Sequence, residues 1–228
     1  MVSLWDTDIL LKLSALDLVQ ETLQLLQLSE QDVYLLPSLP YRLRKPGRRL
    51  VSRYGREGIQ RAQQFVQRAG LVGFPYDESE LDLLSGIPDI DEGEALLYAS
   101  TYALQEFWLL TGDKRSLAAL AEAPNCQAIV ARLNGKVICL EQIIVHILRS
   151  HPFEMVLNKV VPARECDTAI KVAFGSGNQT ELSRAIDTLD EYIRELRAKT
   201  GNLLRNWLSA LPRCGDSDCL TLQENRPL

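Results

Sequence analysis

The 228-residue chain reads as an α/β fold with a mainly parallel central sheet flanked by helices, extended by further helices at its C-terminal end. Three observations predict this. Short apolar runs of strand length alternate with longer runs of helical periodicity through about residue 140. Acidic residues follow two of the strand-like runs, where sites form in parallel sheets. Beyond Glu141 only helical patterning continues, in a chain that is 46% apolar and 24% charged, an ordinary globular composition.

Val2 to Trp5 reads as a buried strand that delivers Asp6 at its end. Asp6-Thr7-Asp8 then opens a helix whose apolar face (Leu10, Leu13, Leu16, Leu23, Leu26) runs to about Leu28. Asp32 to Leu36 is predicted as a second strand, stopped by Pro37 and Pro40. After the Pro46-Gly47 turn, Glu57 to Ala69 reads as a helix closed by Gly70, and 73–88 as an acidic loop. Ile90 to Ala103 is predicted as a helix starting at Asp91, Phe107 to Thr111 as a strand, and Arg115 to Ala121 as a helix. Ala128 to Val130 and Lys136 to Leu140 read as strands on either side of the Asn134-Gly135 turn. Asn178 with Glu181 has capping-box spacing, and Leu182, Ile186, Leu189, Ile193, Leu196, Leu203 and Trp207 form an a/d-like stripe with Thr200 as a polar interruption. Such a stripe packs on its own domain, or on a second copy or a partner protein through 182–207. The implied organisation is a main domain over 1–140 with a basic stretch at 41–70, a helical extension over 141–211 and a loose tail over 212–228.

The net charge of −5 is unevenly spread: nine Arg or Lys and one Glu fall between Tyr41 and Gly70, a local +8, so the rest carries −13. Alone, such a run is an ordinary solvated face. Five cysteines form no paired framework and fit a reducing compartment. Cys214 and Cys219 lack the further ligands that a zinc site needs. No signal-like segment opens the chain, since Asp6, Asp8 and Lys12 interrupt its apolar start. No membrane association is expected, and the expected location is cytoplasmic.

The acids carry the chemistry. Asp6-Thr7-Asp8, Asp91-Glu92-Gly93-Glu94-Ala95 and Thr111-Gly112-Asp113-Lys114 place carboxylates at two strand ends and one helix start. Residues 91 and 94 share one face of the first helical turn. Converging carboxylates suit a hard divalent cation such as magnesium or manganese, which takes oxygen ligands and shares them with phosphate. From spacing alone the signal is weak, because acids at helix starts are also ordinary caps.

These segments, Trp5-Asp6-Thr7-Asp8-Ile9-Leu10, then 91–95, then Leu109-Leu110-Thr111-Gly112-Asp113-Lys114-Arg115, resemble the ordered motifs of PIN-domain ribonucleases over roughly residues 1 to 140. The resemblance implies a three-layer fold and a Mg2+- or Mn2+-dependent endoribonuclease, in a family that includes toxins held by antitoxins and effector nucleases. Asp6, Glu94 and Asp113 match the principal metal-binding and catalytic acids, and Asp8 and Asp91 match supporting positions. Beside such a centre, Arg42, Arg44, Lys45, Arg48, Arg49, Arg53, Arg56, Lys114 and Arg115 become candidates for binding an RNA substrate, or single-stranded DNA. One departure stands out: Lys114, Arg115, Ser116 and Leu117 follow where members often carry a further acid. Two other readings compete. One is a non-catalytic PIN-like binding or assembly module. The other is a phosphohydrolase of the haloacid dehalogenase type with Asp6 as nucleophile, which expects a second acid near Leu117.

Overall fold

A computed structural model describes residues 1–207. Cys214, Cys219 and the 212–228 tail lie outside the described residues. The order of elements is β1 (Val2–Trp5), α1 (Thr7–Ala15), α2 (Val19–Leu26), β2 (Val33–Leu35), α3 (Leu39–Arg44), α4 (Arg48–Val66), β3 (Gly70–Leu71), α5 (Glu78–Ser85), α6 (Glu92–Ser100), β4 (Phe107–Thr111), α7 (Lys114–Glu122), α8 (Gln127–Leu133), β5 (Val137–Cys139), α9 (Leu140–Ser150), α10 (Phe153–Val160), α11 (Thr168–Ala173) and α12 (Leu182–Thr200).

All five strands are parallel, in the order β3-β2-β1-β4-β5, and helices flank the sheet. This is the three-layer α/β architecture that the sequence predicts. The strands are nearly continuous apolar runs, as expected where helices cover both faces. Successive connections step from β1 to β2 to β3 on one side, and β4 then returns beside β1. The reversal between β1 and β4 opens a crevice at their carboxyl ends, the usual place for a ligand in such a sheet. Trp5 pairs with Leu110, and the Asp6 amide donates to the Leu110 carbonyl at 2.9 Å. The β1 acid and the residues after β4 are therefore neighbours.

Several predicted elements are corrected. The helix from Asp6 to Leu28 is two helices, because Asp17 adopts φ 56 and Leu16 and Leu18 both turn fully into the core. The basic helix starts at Arg48 instead of Glu57, and Gly70 opens β3 instead of closing that helix. A Cβ at Gly70 would lie 2.7 Å from the Tyr34 ring, so the edge strand needs its bare backbone. The 73–88 loop contains α5, capped by Asp77, whose carboxylate accepts from the Ser79 and Glu80 amides. Residues 128–130 are helical in α8, where Ile129 and Leu133 are buried four apart. Asn178 caps nothing: the N-cap of α12 is Glu181, with no side-chain bond to the helix.

Most of the stripe on α12 faces inward, but Ile186 is half-buried and Leu182, at its start, is 37% exposed. Ala185, Leu189, Ile193 and Leu196 are buried, and α12 packs on α9, α11 and α7. Thr200, the polar interruption, is buried too and donates to the Leu196 carbonyl at 2.8 Å. Leu204 continues as a bridge beside Val137 of β5. The helical extension therefore shares one core with the sheet, and α9 follows β5 with no linker. Among the described residues no helix is long and apolar enough to cross a membrane.

The helix pair α1 and α4 meets closely through Gly58, where a Cβ would sit 2.8 Å from the Ala15 Cα. Alanine has the better helix propensity, by about 1 kcal/mol. Overpacking against backbone wins: Gly58→Ala is expected to lower stability by about 1–2 kcal/mol in urea titrations.

Candidate metal centre

Six acids reach one cleft from four places in the fold. Asp6 ends β1, Asp8 lies in the first turn of α1, Asp91, Glu92 and Glu94 open α6, and Asp113 opens α7 after β4. All six line a cleft of about 740 Å³ at the carboxyl ends of the strands, together with Thr7, Gly93 and Ser38. Arg42 of α3 and Arg49 and Arg53 of α4 line it as well. The cleft thus has acids at the strand ends and arginines on the α3–α4 wall.

Local hydrogen bonding explains why these acids stand where they do. Asp91 is the N-cap of α6, accepting from the Glu94 amide at 2.8 Å, and Glu94 accepts from the Asp91 amide at 2.9 Å. This is a capping box with acids at both ends. Asp113 caps α7, accepting from the Arg115 and Ser116 amides at 2.9 and 3.2 Å. Thr111 ties two of the acids together: its hydroxyl accepts from the Asp113 amide at 3.1 Å and lies 3.5 Å from the Asp6 carboxylate. A Cβ at Gly93 would come 2.8 Å from the Leu36 side chain and 3.2 Å from an Asp91 carboxylate oxygen.

Burial and mutual repulsion dominate the electrostatics. Burial, with the charges of Asp8 and Asp91, pushes the Asp6 carboxyl up to about 7. Burial, with the charges of Asp113, Asp91 and Asp6, pushes Glu94 up to about 8. Tyr98 lies buried beside the same group, its hydroxyl 2.6 Å from the Ser116 hydroxyl. Burial raises its phenol well above its usual value, and the charges of Glu94, Asp6 and Asp113 add to the rise. Five carboxylates therefore feel one another across the cleft, as charges seeking a common cation would.

The donors suit a hard cation. No histidine or cysteine lines the cleft, and the Thr7 hydroxyl is buried there with no hydrogen-bond partner. Among the described residues no three His, Cys, Asp or Glu side chains already stand as a finished ligand shell. Ligation by Asp6, Glu94 and Asp113 would need side-chain adjustment, which like charges at close quarters resist until a cation is present.

The predicted residues separate into groups. Asp6, Glu94, Asp91 and Asp113 come together. Asp8 reaches the cleft, but its oxygens are engaged by the Tyr54 hydroxyl at 2.7 Å, by the Lys12 ammonium and, at 3.8 Å, by Arg53. Of the basic candidates, Arg42, Arg49 and Arg53 line the cleft, whereas Arg44, Lys45, Arg48 and Arg56 do not. Lys114 is drawn away to the buried Glu141 and lies over the Tyr192 ring. Arg115 is exposed, with its guanidinium 3.8 Å from Asp113. Leu117 is wholly buried, so the position that could have carried a further acid serves the core.

No family model matches the chain, and no curated protein or solved structure matches it either. Sequence reading missed Tyr54, Lys12, Asp167 and Gly112. A Cβ at Gly112 would lie 2.6 Å from an Asp8 oxygen and 3.0 Å from the Lys12 ammonium. The Thr-Gly-Asp run after β4 was the available signal for that glycine.

Proposed function

We propose that the chain is a PIN-like, magnesium- or manganese-dependent endoribonuclease that hydrolyses RNA phosphodiester bonds. The observation that carries this reading is the cleft itself, where carboxylates from β1, α6 and the end of β4 lie across from arginines on α3 and α4. Carboxylates alone would repel a polyanion, and arginines alone would bind it without chemistry.

In this reading Asp6, Glu94 and Asp113 hold the divalent cation, and Asp91 fixes the Glu94 backbone through the capping box. A bound cation of this kind supplies Lewis acidity at phosphorus and a water of lowered pKa. Thr111 keeps Asp6 and Asp113 in register. Arg42, Arg49 and Arg53 neutralise the strand on either side of the reacting phosphate, so binding should weaken steeply with salt. Single-stranded DNA presents the same phosphates and is the alternative substrate.

The experiment is cleavage of single-stranded RNA and DNA with manganese, with EDTA, and with Asp113→Asn. Asparagine keeps the α7 cap, whereas alanine would remove it. Manganese-dependent cleavage that Asp113→Asn lowers by about 10³-fold is expected, equivalent to roughly 4 kcal/mol of transition-state stabilisation. Cleavage unchanged by the substitution removes Asp113 from the site.

A second reading keeps the fold as a non-catalytic module. It is favoured by the capping bonds that Asp91, Glu94 and Asp113 already make. Saturable manganese binding without cleavage of either nucleic acid would decide for it.

A further inference from the structure

A closed polar network lies behind the cleft and joins its two walls. Lys12 is 4% exposed, and its ammonium lies between the Asp8 carboxylate and Asp167 at 2.8 Å. Asp167 precedes α11 and also caps it, accepting from the Ala169 and Ile170 amides at 2.8 and 3.2 Å. Asp8 in turn accepts from the Tyr54 hydroxyl at 2.7 Å. The neighbour of Tyr54, Arg53, donates to the carbonyl of Cys166 at 3.2 Å, beside Asp167. The contacts close a ring: Cys166–Asp167, Lys12, Asp8, Tyr54–Arg53 and back to Cys166.

The ring meets α4 at the one place where that helix is broken. Gly55 has φ 72 and ψ 159, in a region that a side chain would disfavour, and nothing lies within 4 Å of a Cβ built there. The break separates residues 48–54, which carry the cleft arginines 49 and 53, from the second half of α4, which packs on α1. Helical hydrogen bonding therefore does not carry the position of 48–54 across Gly55, which leaves the ring at Arg53 and Tyr54, with the packing of Leu50 and Tyr54 on the core, to hold it.

We propose that Asp167 and Lys12 are positioning residues that set the place of the arginine wall relative to the carboxylates, acting through Asp8 and Tyr54. Neither Asp167 nor Lys12 lines the cleft, so neither touches substrate. Lys12 fixes the rotamer of Asp8, and Asp8 presents an oxygen to the Tyr54 phenol. The C-terminal helices thereby take part in the site through the half-buried Asp167 carboxylate and the neighbouring Cys166 carbonyl. The kinetic consequence rests on the nuclease reading above; the mechanical one does not.

Two variants test it on the full chain. Asp167→Asn keeps the α11 cap while removing the charge that faces Lys12, and Tyr54→Phe deletes one oxygen. Backbone hydrogen exchange over 48–54 should speed by about tenfold in each, with α6 and α9 unchanged, because local opening follows lost local contacts. In RNA cleavage Asp167→Asn, which lies outside the cleft, should raise KM several-fold with kcat nearly unchanged. Tyr54 lines the cleft, so Tyr54→Phe is read by exchange, where the double variant should be no worse than either alone because both act through Asp8. Unchanged exchange over 48–54 in both variants overturns the proposal, as does an additive double variant. If the wild type cleaves no RNA, the nuclease reading fails by itself, and the exchange result still decides the ring. If Asp167→Asn loosens the whole chain, Tyr54→Phe gives the decision.

Discussion

Glu94→Gln is expected to lower metal-dependent RNA cleavage by about 10³-fold and to make the metal-free protein more stable at pH 8. The two effects share one cause. Glu94 is 7% exposed among three other acids, and its carboxyl is pushed up to about 8. Holding it ionised there costs free energy that only a cation offsets. Glutamine keeps the hydrogen bond to the Asp91 amide, since Gln serves at the third position of a capping box as Glu does. Lost cleavage therefore cannot be ascribed to fraying of α6. Steady-state cleavage in manganese and a thermal melt in EDTA measure the two effects. A variant that loses cleavage and stability together would point to a damaged helix instead of a missing ligand.

The metal-free protein should lose stability as pH rises from 6.5 to 8. For acids whose pKa is raised on folding, stability is fully present below the unfolded values of 3.8 and 4.5. It declines while the unfolded chain is ionised and the folded site is still protonated, until pH passes the folded values of about 7 and about 8. Over this window the two acids together contribute a loss of about 2–3 kcal/mol, most of it from Glu94. For a chain of this size that is a fall in Tm of about 5–10 °C. His146 works in the opposite sense, because burial against Trp207 lowers its pKa to about 4, but that contribution is complete near pH 6.5. Saturating manganese should abolish the fall, and Glu94→Gln should flatten it. A Tm that rises through this window in EDTA would mean that the acids are not buried as charges in conflict.

How much of this was legible in the sequence follows from the range of the interactions. β1 and β4 are strand-length apolar runs ending in an acid or a Thr-Gly-Asp turn, and both were readable from local pattern. Asp91 with Glu94, and Asp113 before α7, announce themselves as caps for the same reason. The acids were therefore located, and the parallel sheet then brought them together. Helix breaks inside periodic stretches were not readable. The turn at Asp17 falls within a run of good helical character, whereas at Gly55 the sequence pattern errs the other way: it begins the helix at Glu57, and the helix continues on the far side of the kink back to Arg48. Least readable was the Lys12 network, whose members come from α1, α4 and the N-cap of α11. Asp8 looked like a supporting metal ligand because the resemblance to PIN-domain ribonucleases implies one at its position. The distant Tyr54 and Asp167 give it other work. The arginines sorted the same way: nine positions looked alike in sequence, and the α3–α4 geometry selected three for the cleft.

The most direct measurement is a manganese titration of the metal-free full-length protein by calorimetry at pH 8, beside the triple variant Asp6→Asn, Glu94→Gln, Asp113→Asn. These substitutions keep shape and capping while removing the three charges. Saturable binding by the wild type that the triple variant loses is the predicted result. Absence of saturable binding by the wild type, or equal binding by both, would contradict the assignment of these acids to a divalent-metal centre.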